Sequence, residues 1–423
     1  MKCRFCGYPL EKVFIDLVNA PPSNSYLTKE QLNEPEVYFP LKVFFCEHCW
    51  LVQIDEYKKS NEIFNENYAY FSSYSRSWVK HAEDYVKMIC KRLSLSKSSK
   101  VMEIASNDGY LLQFFVARSI PCFGVEPSAG TAKAAEKKGV ESIVDFFGSE
   151  LAVRIAEERG KQDLIIGNNV LAHVPDINDF VEGLKIVLSD SGTITMEFPH
   201  LLRLIQYNQF DTIYHEHFSY FSLHTVEKVF LAHKLKIYDV EELPTHGGSL
   251  RIYACHINDD SHDVNPKVEY IKGVEREFGI LDPKVYDSFQ REANAIKSSF
   301  LSFLMDQKRM GKKIVAYGAA AKGNTLLNYC GIKGTDLIEY VVDASPHKKG
   351  KYLPGSHIPI VSEERISDDK PDIIVILPWN IKEEIIKQLS YVKDWHSQFV
   401  IAIPNLESID CDNLMINTVM GCE

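Results

Sequence analysis

Apolar runs and amphipathic stretches divide the chain into parts with different patterns. The first part holds short β-like runs such as "VYFPLKVFFC" and "LVQI", and a helical pattern follows in "SRSWVKHAEDYVKMICKRL". From about Ser99, strand-like and helix-like stretches alternate through "KVMEIAS", "YLLQFFVARS" and "PCFGVEPS". Such alternation is typical of a parallel sheet covered by helices.

A second strand–helix series follows a polar, periodic stretch from about Val268 to Arg309, which predicts long connecting helices. Its strands are predicted in "KKIVAY", "IEYVVDAS", "DIIVILPW" and "FVIAIP". We therefore predict an α/β protein with three domains, at residues 1–75, 76–265 and 266–423.

Charge and hydropathy exclude several classes of protein. The 423 residues have a net charge of −11 and no long Lys/Arg block, which argues against nucleic-acid binding. The N-terminus lacks the apolar core of a signal peptide, and no apolar run approaches the ~18 residues of a membrane span. We expect a cytoplasmic protein with no membrane contact, as a monomer or small homo-oligomer.

Two Cys-x-x-Cys pairs stand near the N-terminus, Cys3 with Cys6 and Cys46 with Cys49. Two such turns allow four thiolates to reach a tetrahedral Zn²⁺ at roughly 2.3 Å. Unrelated buried cysteines or a redox dithiol are the alternatives, although a redox motif needs only one pair. We expect a structural zinc site, because four cysteine ligands leave no open position for catalysis.

The stretch "VMEIASNDGYLL" has the pattern of a nucleotide-binding turn between a strand and a helix. Ala105, Asn107 and Gly109 are spaced small residues that would allow a ligand to approach the backbone closely. Glu126 ends the next strand, in "GVEPS", where a carboxylate can accept two hydrogen bonds from a ribose diol. Asp145 in "VDFFG" could meet an adenine amino group.

This ordered set resembles an S-adenosylmethionine-dependent methyltransferase of the Rossmann-like class. NAD is the rival ligand, but "EIASNDG" departs from G-x-G-x-x-G, and a nucleotide-free doubly wound domain is a third alternative. The predicted cofactor contacts are Glu103, Ser106, Asn107, Gly109, Glu126, Pro127, Asp145, Asn168 and Asn169.

The segment "QFDTIYHEHFSYFSLHT" combines three histidines and two phenols with the Glu216 carboxylate. It could form a metal site, an acid/base centre or an aromatic core segment. In an extended segment His215 would share a face with His217, whereas in a helical turn Tyr214 would do so.

In the second series, "YGAAAKGNTLLN" keeps the spacing of G-x-G-x-x-G with Ala320 at the middle position. Such a turn aims backbone N–H groups at an anion, and Lys322 and Asn324 add donors. Asp343 ends the next strand, where an acidic residue can bind the ribose of NAD, so the pattern also allows NAD as the ligand. "HGGSLR" predicts a tight turn in which Arg251 could contact a phosphate or hydroxyl group.

The motifs "YFSSYSRSW", "SNDGYLL", "GVEPS", "NNVLAHVPD", "EFPH", "YHEHFSYFS", "HGGSLR" and "YGAAAKGNTLLN" follow the cysteine pairs in order. Together they resemble the C-methyltransferases that act on nucleotide-linked 4-keto-6-deoxy sugars. The resemblance implies an N-terminal zinc-binding domain, a central Rossmann-like methyltransferase domain and a C-terminal Rossmann-like domain for the nucleotide sugar.

The same resemblance implies roles for individual residues. His217 would be the general base, accompanied by Tyr214 and Glu216, and His173 would be a further active-site residue. Tyr68 would lie beside the cofactor, or Tyr70 if the alignment slips by two residues. The implied substrate contacts are Tyr74, Arg76, His246, Arg251, Lys322, Asn324 and Asp343.

The implied chemistry needs a base. The carbonyl of a 4-keto sugar acidifies the proton at C-3, and its removal gives an enolate whose C-3 attacks the methyl group. Histidine suits this role because its reference pKa of ~6.5 leaves much of it neutral at pH 7. His173 or a tyrosine hydroxyl could donate to the enolate oxygen. The alternatives are an O- or N-methyltransferase and a non-catalytic nucleotide-binding module.

Overall fold

The computed structural model describes residues 1–57, 59 and 71–410, which group into two compact units. The first unit comprises Met1–Lys12, Phe44–Leu202 and Glu216–Pro283. The second comprises Val13–Val43, Arg203–His215 and the chain from Lys284 onward. The units interleave along the sequence, and the division into three domains stays a prediction.

Strands and helices alternate through both units. The described strands are β1 (Lys12–Ala20), β2 (Phe39–Phe45), β3 (Val52–Ile54), β4 (Val101–Ile104), β5 (Cys122–Val125), β6 (Ser142–Ile143), β7 (Gln162–Asn168), β8 (Leu188–Pro199), β9 (Ser219–Tyr220), β10 (Leu235–Leu243), β11 (Ser249–His256), β12 (Ile314–Tyr317), β13 (Val341–Val342), β14 (Ile360–Val361), β15 (Ile373–Ile376), β16 (Gln398–Ile401) and β17 (Glu407–Asp410). The described α-helices are α1 (Arg76–Arg92), α2 (Gln113–Val116), α3 (Ala129–Glu136), α4 (Ser149–Arg159), α5 (Ile177–Val187), α6 (Leu201–Gln206), α7 (Leu223–Ala232), α8 (Pro266–Phe278), α9 (Pro283–Asp287), α10 (Phe289–Arg309), α11 (Ala321–Cys330), α12 (Glu364–Asp369) and α13 (Lys382–Gln388).

The main sheet of the first unit has the strand order β10-β11-β8-β7-β4-β5-β6. The five strands from β8 to β6 are parallel, whereas β10 and β11 are antiparallel. A short connection suffices for the β10–β11 hairpin, while each parallel pair needs a crossover, which helices supply here. The predicted α/β fold with a Rossmann-like parallel sheet is confirmed.

Both faces of this sheet are buried, which explains the continuous apolar runs of its parallel strands. Along β7, Leu164 and Ile166 belong to one core cluster and Ile165 to the other. Helix α1 packs on the first cluster through an apolar stripe at helical spacing that includes Ala82, Val86 and Ile89.

The second unit has a six-stranded sheet in the order β14-β13-β12-β15-β16-β17. Apart from the antiparallel β17, its strands are parallel, and their order is that of a doubly wound nucleotide-binding sheet. Elsewhere β1 neighbours β2, and in the first unit β3 pairs antiparallel with β9. Within the described residues, no helix is both long and apolar enough to cross a membrane.

A buried carboxylate joins three parts of the first unit. Glu275 on α8 is 1% exposed and accepts from His200 Nε2 at 2.7 Å. It also accepts from the backbone N–H groups of Leu223 and His224, at 2.6 and 2.9 Å. Glu275 therefore supplies acceptors for the first turn of α7, whose N–H groups have no partner within the helix.

We expect Glu275→Ala to lower the free energy of unfolding by about 3 kcal/mol, because it leaves a buried imidazole and two helix N–H groups without an acceptor. Urea denaturation followed by circular dichroism measures the change. Glu277→Ala is the matched control, since Glu277 is exposed on the same helix. Equal stability of the two variants would contradict the role given to Glu275.

Candidate functional site

The two cysteine pairs converge into one cluster in the first unit. The Sγ atoms of Cys3, Cys6, Cys46 and Cys49 lie within 4.8 Å of one another. Cys3 Sγ lies 3.5 Å from Cys49 Sγ, and Cys6 Sγ lies 3.6 Å from Cys46 Sγ. Sulfur atoms at the corners of a zinc tetrahedron stand about 3.8 Å apart, so this donor set fits Zn²⁺.

The pKa values of the cluster thiols shift in opposite directions: burial raises the pKa of Cys6 to about 11, and the hydrogen bond with Cys3 raises the pKa of Cys49. The hydrogen bond with Cys49 lowers the pKa of the Cys3 thiol to about 4. Gln53 Nε2 donates to Cys3 Sγ at 3.2 Å, and Gln53 is itself fully buried. An amide that donates to a cysteine sulfur in this way orients the thiolate toward a bound metal.

Most of the predicted cofactor residues meet at one edge of the first unit's sheet. Glu103, Glu126 and Asn168 lie at the carboxyl ends of the neighbouring strands β4, β5 and β7. The Glu126 carboxylate accepts from the backbone N–H groups of Asn107 and Ser128, at 2.9 Å each. Ligands of open α/β sheets bind at this edge.

The turn after β4 has an unusual backbone. Ala105 and Asn107 have φ values of 56° and 50°, and Gly109 has a φ of 72°. A Cβ added to Gly109 would lie 3.1 Å from Ala135 Cβ, so only glycine fits there without a shift. Non-glycine residues in the left-handed region concentrate at ligand-binding turns.

Buried polar atoms at this edge fit an adenosine-type ligand. The Oδ1 and Nδ2 atoms of Asn168, Oδ1 of Asn169 and Oγ of Ser106 are buried without a hydrogen-bond partner in the described part of the chain. Burial, together with the charge of Glu126, raises the pKa of Glu103 well above its ordinary value. Such groups need partners, which the hydroxyl and amino groups of a ligand would supply.

Three other cofactor predictions meet different surroundings. Pro127 is partly buried directly after Glu126. Asp145 is exposed after β6 and forms an ion pair with Arg154 at 2.8 Å, so a ligand would have to share it. Tyr68, like Tyr70, lies outside the described residues.

His173 and His217 form a compact pair in the first unit. Their rings meet edge to face at an interplanar angle of 68°, with centroids 4.7 Å apart. His173 Nδ1 donates to the backbone carbonyl of Glu216 at 2.8 Å, and the Phe218 N–H donates to Ala172 O at 2.7 Å. The segments that bear the two histidines are therefore joined by hydrogen bonds on both sides.

Burial lowers the pKa of His173 to about 4, so His173 is neutral at pH 7. His217 is 9% exposed and Glu216 is 4% exposed. The boundary between the two units falls between His215 and Glu216, so half-buried Tyr214 belongs to the second unit.

His215 also belongs to the second unit. It contacts Pro40 O at 3.2 Å and the ring of Phe39, and burial lowers the pKa of His215.

Arg251 lies inside a buried ion-pair network of the first unit. It contacts Glu197 at 2.7 Å and Glu241 at 3.3 Å and is 4% exposed. Burial alone would raise the pKa of Glu197. The hydrogen bond from His81 and the charge of Arg251 outweigh burial and lower this pKa to about 2. Two carboxylates thus neutralise Arg251, which leaves it poorly suited to hold a phosphate.

The other substrate predictions in the first unit are dispersed. Tyr74 is 53% exposed in the short turn before α1, and Arg76 is exposed at the start of that helix. His246 has a φ of 57° and meets the ring of Trp78 edge to face at 5.1 Å.

In the second unit, polar side chains surround the turn between β12 and α11. Gly318 has a φ of 93°, and a Cβ there would meet Pro378 Cδ at 2.4 Å. Lys322 Nζ lies 4.7 Å from the Trp379 ring centroid and donates to Asn380 Oδ1 at 3.1 Å. Asn324 Nδ2 donates to Ser23 O at 2.6 Å, while its Oδ1 is buried without a partner in the described chain.

Some residues around this turn were missed by the sequence predictions. Lys348 donates to Ala319 O at 2.8 Å and pairs with predicted Asp343 at 3.3 Å. Tyr26 OH donates to the same carbonyl at 2.6 Å. The closeness of Lys348 to Asp343 in "DASPHKK" could have indicated the lysine, whereas Tyr26 arrives from a distant part of the chain without a local signal.

Asp211 is a further missed residue beside Lys322. It is fully buried, accepts from Trp379 Nε1 at 2.8 Å, and burial raises its pKa to about 6 even though the charge of Lys322 opposes the shift. Burial lowers the pKa of Lys322, and Asp211 counteracts this. The two groups therefore stabilise each other's charged forms.

Known families match successive parts of the chain. A zinc binding domain matches residues 3–64, a methyltransferase domain matches residues 78–240, and a C-methyltransferase C-terminal domain matches residues 244–404. The C-methyltransferase NovU of Streptomyces niveus is 32% identical over 414 residues, which cover 98% of each chain.

Solved structures resemble the chain in part. The PH0226 protein of Pyrococcus horikoshii is 16% identical, with a TM-score of 0.37, and covers 47% of this chain and 99% of its own. An S-adenosylmethionine-dependent methyltransferase from Anabaena variabilis is 16% identical, with a TM-score of 0.34, and covers 41% of this chain and 83% of its own.

We expect the purified protein to contain about one zinc ion per chain, and Cys46→Ser to lose most of it, because the replacement removes one of four thiolate ligands. Elemental analysis by plasma mass spectrometry measures the metal. Cys122→Ser is the control, since Cys122 lies in β5 outside the cluster. A wild-type protein without zinc, or full retention by Cys46→Ser, would contradict the assignment.

Proposed function

The chain belongs to the family of S-adenosylmethionine-dependent C-methyltransferases, and from that premise we propose that it methylates C-3 of a nucleotide-linked 4-keto-6-deoxy sugar. The methyl donor supplies an electrophilic methyl group when bound. The residues of the chain must then hold the sugar, remove the C-3 proton and stabilise the resulting enolate. The product would be a branched-chain deoxysugar, formed in the cytoplasm.

The observation that supports a base-dependent carbon methylation is the paired arrangement of His173 and His217. Two imidazoles with ring centroids 4.7 Å apart, close to the strand ends proposed for the cofactor, suit proton removal. We propose His217 as the general base. Glu216 would assist it by orienting a histidine or by binding a sugar hydroxyl.

His173 is better suited to accept a hydrogen bond than to donate one to substrate. Its Nδ1 contacts a carbonyl oxygen, which can only accept, so Nδ1 bears the proton. With a pKa of about 4 the ring is neutral, and Nε2 is then an acceptor. A tyrosine hydroxyl is therefore a better donor for the enolate oxygen than His173.

The cofactor would be held by the edge of β4, β5 and β7. Glu126 is already oriented by two backbone N–H groups, which leaves its remaining lone pairs for a ribose diol. Asn168 and Ser106 would satisfy their buried polar atoms on the same ligand. The cysteine cluster would bind zinc structurally, with no step of the reaction at the metal.

The nucleotide diphosphate would bind at the β12–α11 turn of the second unit. A positive-φ glycine and the N-terminus of α11 suit an anion, and Lys322 adds a charge. Asp211 and the Trp379 ring hold the lysine side chain in place. Methyl transfer requires no hydride, so this turn has no need for NAD.

We expect His217→Asn to lower kcat by about 100- to 10,000-fold while cofactor affinity stays the same, because a general base contributes this much. Incubation with S-adenosylmethionine and a panel of nucleotide 4-keto sugars in D₂O, read by mass spectrometry, detects methyl gain and deuterium at C-3. His224→Asn is the control, because His224 lies on α7. If His217→Asn incorporates deuterium at C-3 at nearly the wild-type rate, His217 is excluded as the base. If the wild-type protein neither incorporates deuterium nor methylates any sugar of the panel, the proposed substrate class is overturned.

We expect Lys322→Met to raise the KM for the nucleotide sugar by about tenfold or more, because a charge-assisted hydrogen bond to phosphate is lost. The KM for S-adenosylmethionine should not change. Lys387→Met serves as control, since Lys387 is an exposed lysine on α13. An unchanged KM for the sugar in Lys322→Met would exclude this lysine from the diphosphate site.

A further inference from the structure

We propose that Arg4, which lies between the first two cysteines, is a positioning residue for the His173–His217 pair. The inference rests on the proposed function, because it assigns to Arg4 the alignment of the groups that move the C-3 proton. Nothing in its local sequence distinguishes Arg4 from a solvated residue of a zinc loop. Its importance comes from contacts that the fold creates within the first unit.

The guanidinium of Arg4 contacts three segments at once. Nη1 donates to Pro175 O at 2.7 Å, and Nη2 donates to the carbonyl oxygen of Ile54. The central carbon of the guanidinium stands 5.3 Å from the centroid of the Phe218 ring. An arginine can make these contacts together because its planar fork presents several donors while its face packs on an aromatic ring.

Two of the three contacted segments lead directly to one of the two histidines. Pro175 lies two residues after His173, and Phe218 is the immediate neighbour of His217. Ile54 connects the two contacts, since its N–H donates to Phe218 O at 3.1 Å. Arg4 therefore bridges the backbone that bears His173 and the segment that bears His217.

The backbone of Arg4 is anchored to the cysteine cluster. Its N–H donates to Gln53 Oε1 at 2.9 Å, and Gln53 Nε2 donates to Cys3 Sγ at 3.2 Å. Asn178 Nδ2 donates to the carbonyl oxygens of Arg4 and Phe5, at 3.2 and 2.9 Å. Gln53 lies in β3 opposite Ser219 of β9, the strand that follows Phe218.

These contacts connect the cysteine cluster with the acid/base pair. The cluster and Gln53 hold the Arg4 backbone, and the Arg4 side chain then holds the two histidine segments. Removing the fork leaves two backbone carbonyls without their donor and one face of Phe218 uncovered. The two imidazoles would then sample a wider range of geometries, which slows proton transfer more than it weakens binding.

The test compares Arg4→Met and Arg4→Lys with wild type. We expect Arg4→Met to lower both kcat and the rate of deuterium uptake at C-3 by about tenfold or more, with zinc content, cofactor Kd and sugar KM within about twofold. Arg4→Lys keeps the charge and the stem but loses the fork, so its rates should lie in between. Arg309→Met is the control, because Arg309 is an exposed arginine that forms an ion pair with Asp306 on its own helix.

A second measurement reports on geometry without turnover. Two-dimensional spectra of protein labelled with ¹⁵N-histidine resolve the imidazoles, and His173→Gln and His217→Asn assign their signals. We expect Arg4→Met to shift or broaden the signals of His173 and His217 while that of His200, which is hydrogen-bonded to Glu275, stays unchanged. If Arg4→Met does not fold, Arg4→Lys decides in its place.

The outcomes separate the two proposals. Wild-type kcat, exchange and histidine spectra in zinc-loaded Arg4→Met would overturn the role of Arg4 while leaving the proposed function intact. An inactive wild type, with histidine signals that still respond to Arg4→Met, would overturn the proposed substrate and support the positioning role. A uniform loss of zinc and of all histidine signals in both variants would show a merely structural role and overturn the inference.

Discussion

The parallel pairing of β4 with β5 and β7 is the constraint on which the rest of the first unit depends. Met102 pairs with Phe123 on one side and with Ile165 on the other, so the carboxyl ends of the three strands reach the same edge. That register brings Glu103, Glu126 and Asn168 together although they lie far apart in sequence. It also explains why polar atoms remain buried there, since apolar layers cover both faces of the sheet behind them.

The segment after β7 is held by backbone hydrogen bonds rather than by a regular helix. The short turn containing His173 pairs with the segment Glu216–Phe218, which continues into β9 and joins β3. The cysteine cluster lies at the start of the same connected backbone, through Gln53 and Arg4. A metal held by this cluster would limit the freedom of the backbone that bears the two histidines.

The second unit has a similar parallel sheet edge that is lined by different side chains. Lys322 and Lys348 lie beside its turn, and Asp343 directly follows the neighbouring strand β13. Each lysine has a carboxylate nearby, Asp211 or Asp343, so positive charge is held in place without being left unbalanced.

Much of this protein follows from local sequence. The spacing of the cysteine pairs, the small-residue turn after β4, and the alternation of apolar runs each depend on neighbouring residues, so a pattern within about ten positions determines them. Tertiary structure decided the rest. The antiparallel strands β10 and β11, the interleaving of the two units, and the burial of Arg251 between Glu197 and Glu241 arise from contacts between distant segments. Arg4 shows this most clearly. Its neighbours in the sequence indicate only a residue of a zinc-binding loop, whereas the fold brings three remote segments around its guanidinium and connects it with the histidine pair.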